Sequence, residues 1–487
     1  MLSNISLVNF KSFRELTNLD IRPLTVLCGA NSSGKSTLLK SILTLKQSYA
    51  SMSTYDTLIL NGEYVSNGFF DDVAHKRSAD NFSIEHTFCF VNPFSTSKKV
   101  KNKTKNLQTY KALRKMYLTS AEYPDRFTIR TKSTFGRNIE DQISKTPAID
   151  KYELEIMMEM DNNTITSRIE LSRIPLGVKQ FALRWENIPD VQHQYVSGKA
   201  KQCIAYFYGL QLGNVYVYTE NLPKGTIISD VLPNIYTLCK LAAEQYHGVS
   251  FLGPLRQAPA RAYMYTNETL SIGTMGEYTP FILAQNKEKK IRASLLSPKD
   301  SKLDFVSREV SLLEATQSWL NYLNISNINI DQHSEIVKLK IGDSNIADVG
   351  FGVSQVLPIV VEGLSILPEQ TLILEQPEIH LHPNMQMGLA DFLISLLNQG
   401  KQVILETHSD HIINRLIRRL MEEDSDFLLN NTAIYYVSKE QDESKIQPIE
   451  IDKIHGIAQC PEDFFTQYSS EVDMIVRTGF DNIRKRQ

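Results

Sequence analysis

An α/β fold, a parallel-stranded head interrupted by a largely β insertion, is predicted for this 487-residue chain by three observations. Leu24-Thr-Val-Leu27 is a short apolar run that leads to a glycine and then a helical pattern from Lys35 to about Gln47, the order strand, glycine loop, helix. Thr371-Leu-Ile-Leu374 and Gln402-Val-Ile-Leu405 are two more such runs, each followed by polar residues and a helical pattern, which reads as buried parallel strands. Between these ends, roughly residues 80–220 hold FSIEHTFCF, YELEIMMEM, SRIELSRI, QFALRW and NVYVYTE, separated by polar turns such as DNNT. Those pieces predict a largely antiparallel lobe.

Taken in order, residues 2–10 alternate as a strand does, and the loop and helix above follow. Helical patterns recur at about 231–246 and at 303–323, the latter with Val306, Val310, Leu313, Trp319 and Leu320 at helical spacing, a core-packing stripe. Gln47 is read as helix surface. A chain of this length exceeds the roughly 100–200 residues of one domain, so a head with an insertion is expected. The segments are 1–70 and 346–487 for the two parts of the head, 71–230 for the inserted lobe, and 231–345 for a helical, linking subdomain.

Composition excludes several classes. Hydrophobic residues at 42% and charged residues at 22% describe a soluble globular protein, and no apolar run approaches the roughly 20 residues of a membrane span. The start MLSNISLVNFKSF has no basic segment, apolar core and cleavage site, so the mature chain is expected to begin there. Cys28, Cys89, Cys203, Cys239 and Cys460 are scattered and odd in number, which suits a reducing cytoplasm better than a disulfide framework or a zinc ribbon. A net charge of −3 leaves nucleic-acid binding to a local basic patch.

The chemistry is carried first by Gly29-Ala30-Asn31-Ser32-Ser33-Gly34-Lys35-Ser36-Thr37, which satisfies GxxxxGK[ST] between a predicted strand and a predicted helix. Glycines let backbone N–H groups turn around phosphate, the helix start adds its positive end, Lys35 reaches the terminal phosphates of ATP, and Ser36 ligates Mg²⁺. Downstream, Leu372-Ile-Leu-Glu375-Gln376-Pro377-Glu378 puts acids at the C-terminal end of a strand, where an open α/β sheet binds its ligands. Glu375 is placed to hold Mg²⁺, and the position after it, normally a carboxylate that orients the attacking water, is Gln376. Glu378 is either a substitute base or a structural carboxylate. His408, in Glu406-Thr-His-Ser-Asp410, is either a switch histidine reaching a γ-phosphate or a satisfied core histidine. Asp348-Val-Gly350-Phe-Gly352-Val-Ser354-Gln355 offers glycine backbone and a hydroxyl at a helix start, an anion-binding arrangement.

The order phosphate loop, long insertion, GFGVSQ, LILEQPEIHLHP, ETHSD resembles the RecF/SMC/OLD-like branch of ABC-type ATPases, and within it the AAA-family subgroup carrying EQPEIHLHP. Phe251-Leu-Gly-Pro-Leu-Arg256, Gly273-Thr-Met-Gly276-Glu277 and Cys460-Pro-Glu-Asp-Phe-Phe465 are similar to further landmarks of that subgroup. The resemblance implies a P-loop ABC-type head that binds ATP and Mg²⁺ and dimerises. Gly350, Gly352, Ser354 and Gln355 would then act in trans as the signature, with His382 on the subunit-facing D-loop. It also implies a setting: relatives of this kind serve bacterial anti-phage systems of the Septu, retron and PARIS type, controlling a separately encoded effector such as a nuclease. Three departures touch the chemistry: FGVSQ for LSGGQ, Glu for Asp at 375, and Gln376 for the usual catalytic Glu. Glutamine can orient water but cannot take its proton, so ATP binding with weak hydrolysis is expected.

His380, His382, His408 and His411 coincide with nucleotide motifs, which argues against a metal site of their own. Asp424-Ser-Asp426 reads as a solvated turn, and no nuclease domain is expected in this chain. Lys98, Lys99, Lys101, Lys103 and Lys105, followed by Tyr110 and Tyr117, are the candidate nucleic-acid contact, or else a surface loop that touches nothing. They keep open a rival reading, a DNA-repair or chromosome-handling ATPase that clamps DNA through ATP turnover. The closing Arg484-Lys-Arg486 reads as a solvated tail.

Overall fold

The computed structural model describes residues 1–53, 57–91, 126–137, 146–160, 163–174, 179–189, 195–217, 228–264, 271–296, 304–333, 335–459 and 461. Its strands are β1 Leu2–Phe10, β2 Phe13–Asp20, β3 Leu24–Gly29, β4 Asn81–Val91, β5 Arg126–Arg137, β6 Pro147–Met160, β7 Asn163–Arg173, β8 Gln180–Pro189, β9 Tyr195–Tyr208, β10 Gln211–Val217 and β11 Val249–Leu252. They continue with β12 Tyr263–Met264, β13 Lys290–Leu296, β14 Phe305–Ser311, β15 Ile328–His333, β16 Ile336–Ile341, β17 Ser344–Asn345, β18 Thr371–Glu375, β19 Gln402–Glu406, β20 Thr432–Glu440, β21 Glu443–Pro448, β22 Glu450–Asp452 and β23 Gly456–Gln459.

Two sheets dominate. The head sheet runs β11-β18-β19-β3-β20-β21, parallel except for its last strand. Both faces are covered, as parallel sheets require. Leu27, Ile373, Ile404 and Tyr435 face one hydrophobic cluster, and Leu24, Val26, Leu372, Leu374, Val403 and Leu405 face the other. The second sheet is antiparallel, in the order β10-β9-β8-β7-β6-β5-β4-β1-β2. It includes the N-terminal hairpin, because Ile5 and Leu7 pair with His86 and Ile84 across a long intervening stretch of chain. The helix Lys35–Ala50 lies in the cluster shared by both sheets.

Two expectations change. Residues 305–311, read as the start of a helix, form β14 against β13, and the helix begins only at Leu312, where Ser311 caps it by accepting a hydrogen bond from the Glu314 N–H. Gln47 is buried rather than on a helix surface. Its amide donates to the Ile59 and Val65 carbonyls and accepts from the Tyr64 and Val65 N–H groups, because the segment after the helix wraps back over it.

Behind the head sheet, the helices Pro383–Leu397 and Asp410–Glu422 are pinned by Asp391, whose fully buried carboxylate accepts from Arg415, Arg419 and Tyr322. Burial alone would raise that carboxyl's pKa, but these donors hold it below the usual range. The two helices follow β18 and β19, so this network fixes the strand ends that carry Glu375 and Glu406. Cys28, Cys89, Cys203 and Cys239 are free thiols, and no helix among the described residues is long and apolar enough to cross a membrane.

Candidate nucleotide-binding site

The phosphate loop is built as its glycines demand. Gly29 has φ +130 and a Cβ there would lie 2.1 Å from the Val437 carbonyl oxygen. Gly34 has φ +113 and a Cβ would meet the Ser444 hydroxyl at 2.3 Å. Ser444, on β21, donates to the Ser33 carbonyl and braces the loop from a strand that no motif marks. Ala30, Asn31 and Ser32 are exposed at the loop's crest, whereas Ser33 and Lys35 are buried. Lys35 Nζ donates to the carbonyls of Gly29 at 2.9 Å and Ala30 at 2.5 Å. Burial lowers its pKa, and the nearby carboxylates of Glu406 and Glu378 work against that shift.

Ser36, the predicted metal ligand, donates from Oγ to Glu406 Oε1 at 2.9 Å. Glu406 ends β19, the strand adjacent to β3, and stands in register beside Glu375 at the end of β18. The sequence carried this signal twice, since VILE at 403–406 repeats the pattern of LILE at 372–375, an apolar run closed by an acid. The expected metal ligand, Glu375, is one of the pair, and Glu406 is the other. Glu406 is 2% exposed, and its Oε2 is buried without a hydrogen-bond partner.

Burial and then the like charge of Glu375 push the Glu406 carboxyl up to about 7, with Ser36 and Lys35 pulling the other way. A carboxyl raised in the folded chain keeps a proton that the unfolded chain releases near 4.5. Stability of the nucleotide-free chain therefore falls as pH rises through the window from 4.5 to about 7. Denaturant midpoints across that window should show this decline in the wild type and a flatter profile in Glu406→Gln. Parallel profiles would refute it.

Beyond Glu375 the chain turns sharply. Gln376 has φ +45, its N–H donates to the Glu406 carbonyl, and its own carbonyl accepts from Arg256. Glu378 Oε1 accepts from the His408 N–H at 2.7 Å, which ties the second acidic segment to the ETHSD turn. Burial raises the Glu378 carboxyl, and that bond, with others, partly offsets it. His408, whose residue as a whole reaches solvent, is held below the usual histidine range by partial desolvation of its ring and by the Lys35 charge, which favours the neutral form.

Gly350 precedes the helix Phe351–Ser365 with open space where a side chain would go, and Gly352 approaches the His380 carbonyl. Ser354 donates back to the Phe351 carbonyl, and Gln355 is buried with Nε2 lacking a partner. Phe351 is exposed and stands edge-on to His380, at 5.2 Å between centroids. His382 caps the helix Pro383–Leu397, its Nδ1 accepting from the Asn384 N–H. The structure thus gathers the phosphate loop, Glu375, Gln376, Glu378 and His408 at the C-terminal edge of one sheet. The Gly350–Gln355 segment meets the chain just before His382, with Gly352 against the His380 carbonyl and Phe351 against the His380 ring. Lys98 to Lys105 and Cys460, with residues 462–465, lie outside the described residues.

No cluster of three or more His, Cys, Asp or Glu arranged to hold a metal occurs among the described residues. A hydroxyl beside two adjacent carboxylates, one with a buried oxygen lacking a partner, nevertheless fits Mg²⁺, which takes one or two carboxylates and completes its shell with phosphate and water.

The model of the AAA ATPase domain family matches residues 1–197 and 268–413. No curated protein gives a significant match. Solved structures similar to the chain include the SMC head domain from Thermotoga maritima, at 11% identity, 92% of this chain and 99% of that one, with a TM-score of 0.35. The SmcHead bound to the C-winged helix domain of ScpA is similar at 11% identity over 93% of this chain and 98% of that one, TM-score 0.41. The Smc head domain with an extended coiled coil bound to the C-terminal domain of ScpA, derived from Pyrococcus furiosus, aligns at 10% identity over 92% and 96%, TM-score 0.41.

Proposed function

This chain belongs to the AAA ATPase domain family, and from that premise we propose that it binds Mg²⁺ and ATP tightly, hydrolyses ATP slowly, and uses the bound state as a signal. The observation that carries this reading is Gln376, an amide where a proton acceptor would stand, at the end of the strand that also bears Glu375. Lys35 leaves its loop carbonyls to meet the terminal phosphates. Ser36 and Glu375 would hold the cation, and Glu406 accepts a hydrogen bond from the Ser36 hydroxyl. Bound Mg²⁺ supplies neutralisation of phosphate charge. Gln376 orients water, Glu378 takes its proton in this reading, and the neutral His408 is available to donate to a γ-phosphate oxygen.

The signal has two outlets in this proposal. One is a second copy of the chain, received on the face where Gly350, Phe351 and His380 are exposed beside His382. The other is the lobe, reached through the far end of the phosphate-loop helix. There Tyr49 stacks on Tyr246 at 4.7 Å, and the Ser48 and Ser53 carbonyls accept from Leu210 and Gly209 at the β9–β10 turn. With the motif resemblance to anti-phage ATPases, this supports a head pair that restrains or releases a separately encoded effector such as a nuclease. The rival DNA-clamping reading gains little from three arginines of the described lobe, each paired with an acid: Arg130 with Glu85, Arg168 with Glu155 and Arg184 with Glu186.

Sedimentation of the wild type with and without Mg²⁺ and ATP tests the proposal. ATP should drive self-association, and Phe351→Asp should weaken it by about 30-fold, the ~2 kcal/mol typical of an aromatic anchor at an interface. A wild type that stays monomeric while saturated with nucleotide would sink the head-pair reading.

A further inference from the structure

Arg256 lies outside every nucleotide motif, four residues past the end of β11, yet it is 4% exposed and aimed at the catalytic turn. Its Nη1 donates to the carbonyls of Gln376 at 3.0 Å and Pro254 at 3.2 Å, and its Nη2 donates to the Glu375 carbonyl at 3.2 Å. A guanidinium fork can hold successive carbonyls in one plane, whereas an ammonium cannot. What it holds is strained: a non-glycine residue at φ +45 costs about 1–2 kcal/mol and persists only where its surroundings impose it. The Gln376 N–H is fixed on the other side by the Glu406 carbonyl, so the peptide groups flanking this residue are clamped between the segment that follows β11 and the end of β19.

We propose that Arg256 is the positioning residue of the hydrolytic site: its fork holds the Glu375–Gln376 backbone in the left-handed turn that presents the Gln376 and Glu378 side chains to the nucleotide. The same cation stands near the Glu378 and Glu375 carboxylates, so the clamp also offsets charge where acids crowd. This assignment rests on the nucleotide reading for its chemistry but not for its geometry.

Two variants separate the fork from the charge, Arg256→Lys and Arg256→Met, each made in the wild type and in Gln376→Glu, where turnover is expected to be measurable. Amide exchange of the nucleotide-free chain should accelerate about tenfold or more across 374–380 and stay unchanged across 24–36, a local loss of protection. ATP affinity should stay within about threefold because the phosphate loop is untouched, while kcat in the Gln376→Glu background falls about 10–100-fold, as small misplacements of reacting groups do. Lysine should fail to rescue. Unchanged protection at 374–380, loss of it with turnover intact, rescue by lysine, or loss of protection in both segments together with ATP binding would each overturn the assignment. A wild type that binds no ATP would fail the nucleotide reading instead, and the exchange data would still decide whether Arg256 holds the turn.

Discussion

Lys35→Ala is expected to lower ATP affinity by about 100-fold or more, with the fold intact. The magnitude follows from what is removed: charge-assisted bonds to phosphate contribute about 1.5–3 kcal/mol each, and each 1.4 kcal/mol is tenfold in affinity. The ammonium is poised for transfer. It is buried, its present partners are two loop carbonyls, and burial already disfavours its charge, so an incoming phosphate meets a cation with little water to shed. Fluorescent-nucleotide titration measures the loss, and circular dichroism verifies the fold. A second consequence separates Lys35 from a mere packing residue. Its charge pulls the Glu406 carboxyl down, so its removal should push that carboxyl further up and extend the decline of stability described above to higher pH. Affinity within a few-fold of wild type would mean that phosphate is held by the backbone and helix start alone.

Much of this site was legible because its parts are local. The phosphate loop needs glycines at two positions where backbone and hydroxyl crowd in, and the buried strands read as apolar runs because both their faces are covered. Harder to read was anything decided by distant pairing. The hairpin of β1 and β2 joins β4 through a register that no local pattern announces. Strands β5 and β9 escaped notice because Thr131, Ser133, Ala200 and Ala205 occupy inward positions that usually signal a strand by apolar bulk. Residues 305–311 looked helical because Val306 and Val310 are four apart, and a sheet partner at 290–296 overrode that spacing. Glu406 was missed for a topological reason. Its role depends on β19 lying between β18 and β3, and strand order is not written in either strand's own sequence.

Gln376→Glu should raise steady-state phosphate release by about 100-fold while leaving ATP affinity nearly unchanged. A positioned general base contributes about 10²–10⁴-fold, and the wild-type amide supplies orientation without proton acceptance. The lower end is expected because the new carboxylate joins Glu375, Glu378 and Glu406, and the charges of the first two already raise the third. A fourth acid will be ionised only when cation and Lys35 face it, so the gain should depend steeply on Mg²⁺. It should also shrink towards low pH, where the substituted carboxyl takes up its proton. The position itself is prepared, since the left-handed turn and its two backbone bonds do not involve the side chain that changes. Brisk turnover by the wild type, with no gain in the variant, would make Glu378 the working base. The slow, state-holding ATPase would then give way to one that spends nucleotide continuously. Glu378→Gln decides between them: it should abolish turnover in that case, and should cost the Gln376→Glu enzyme little if residue 376 is the acceptor.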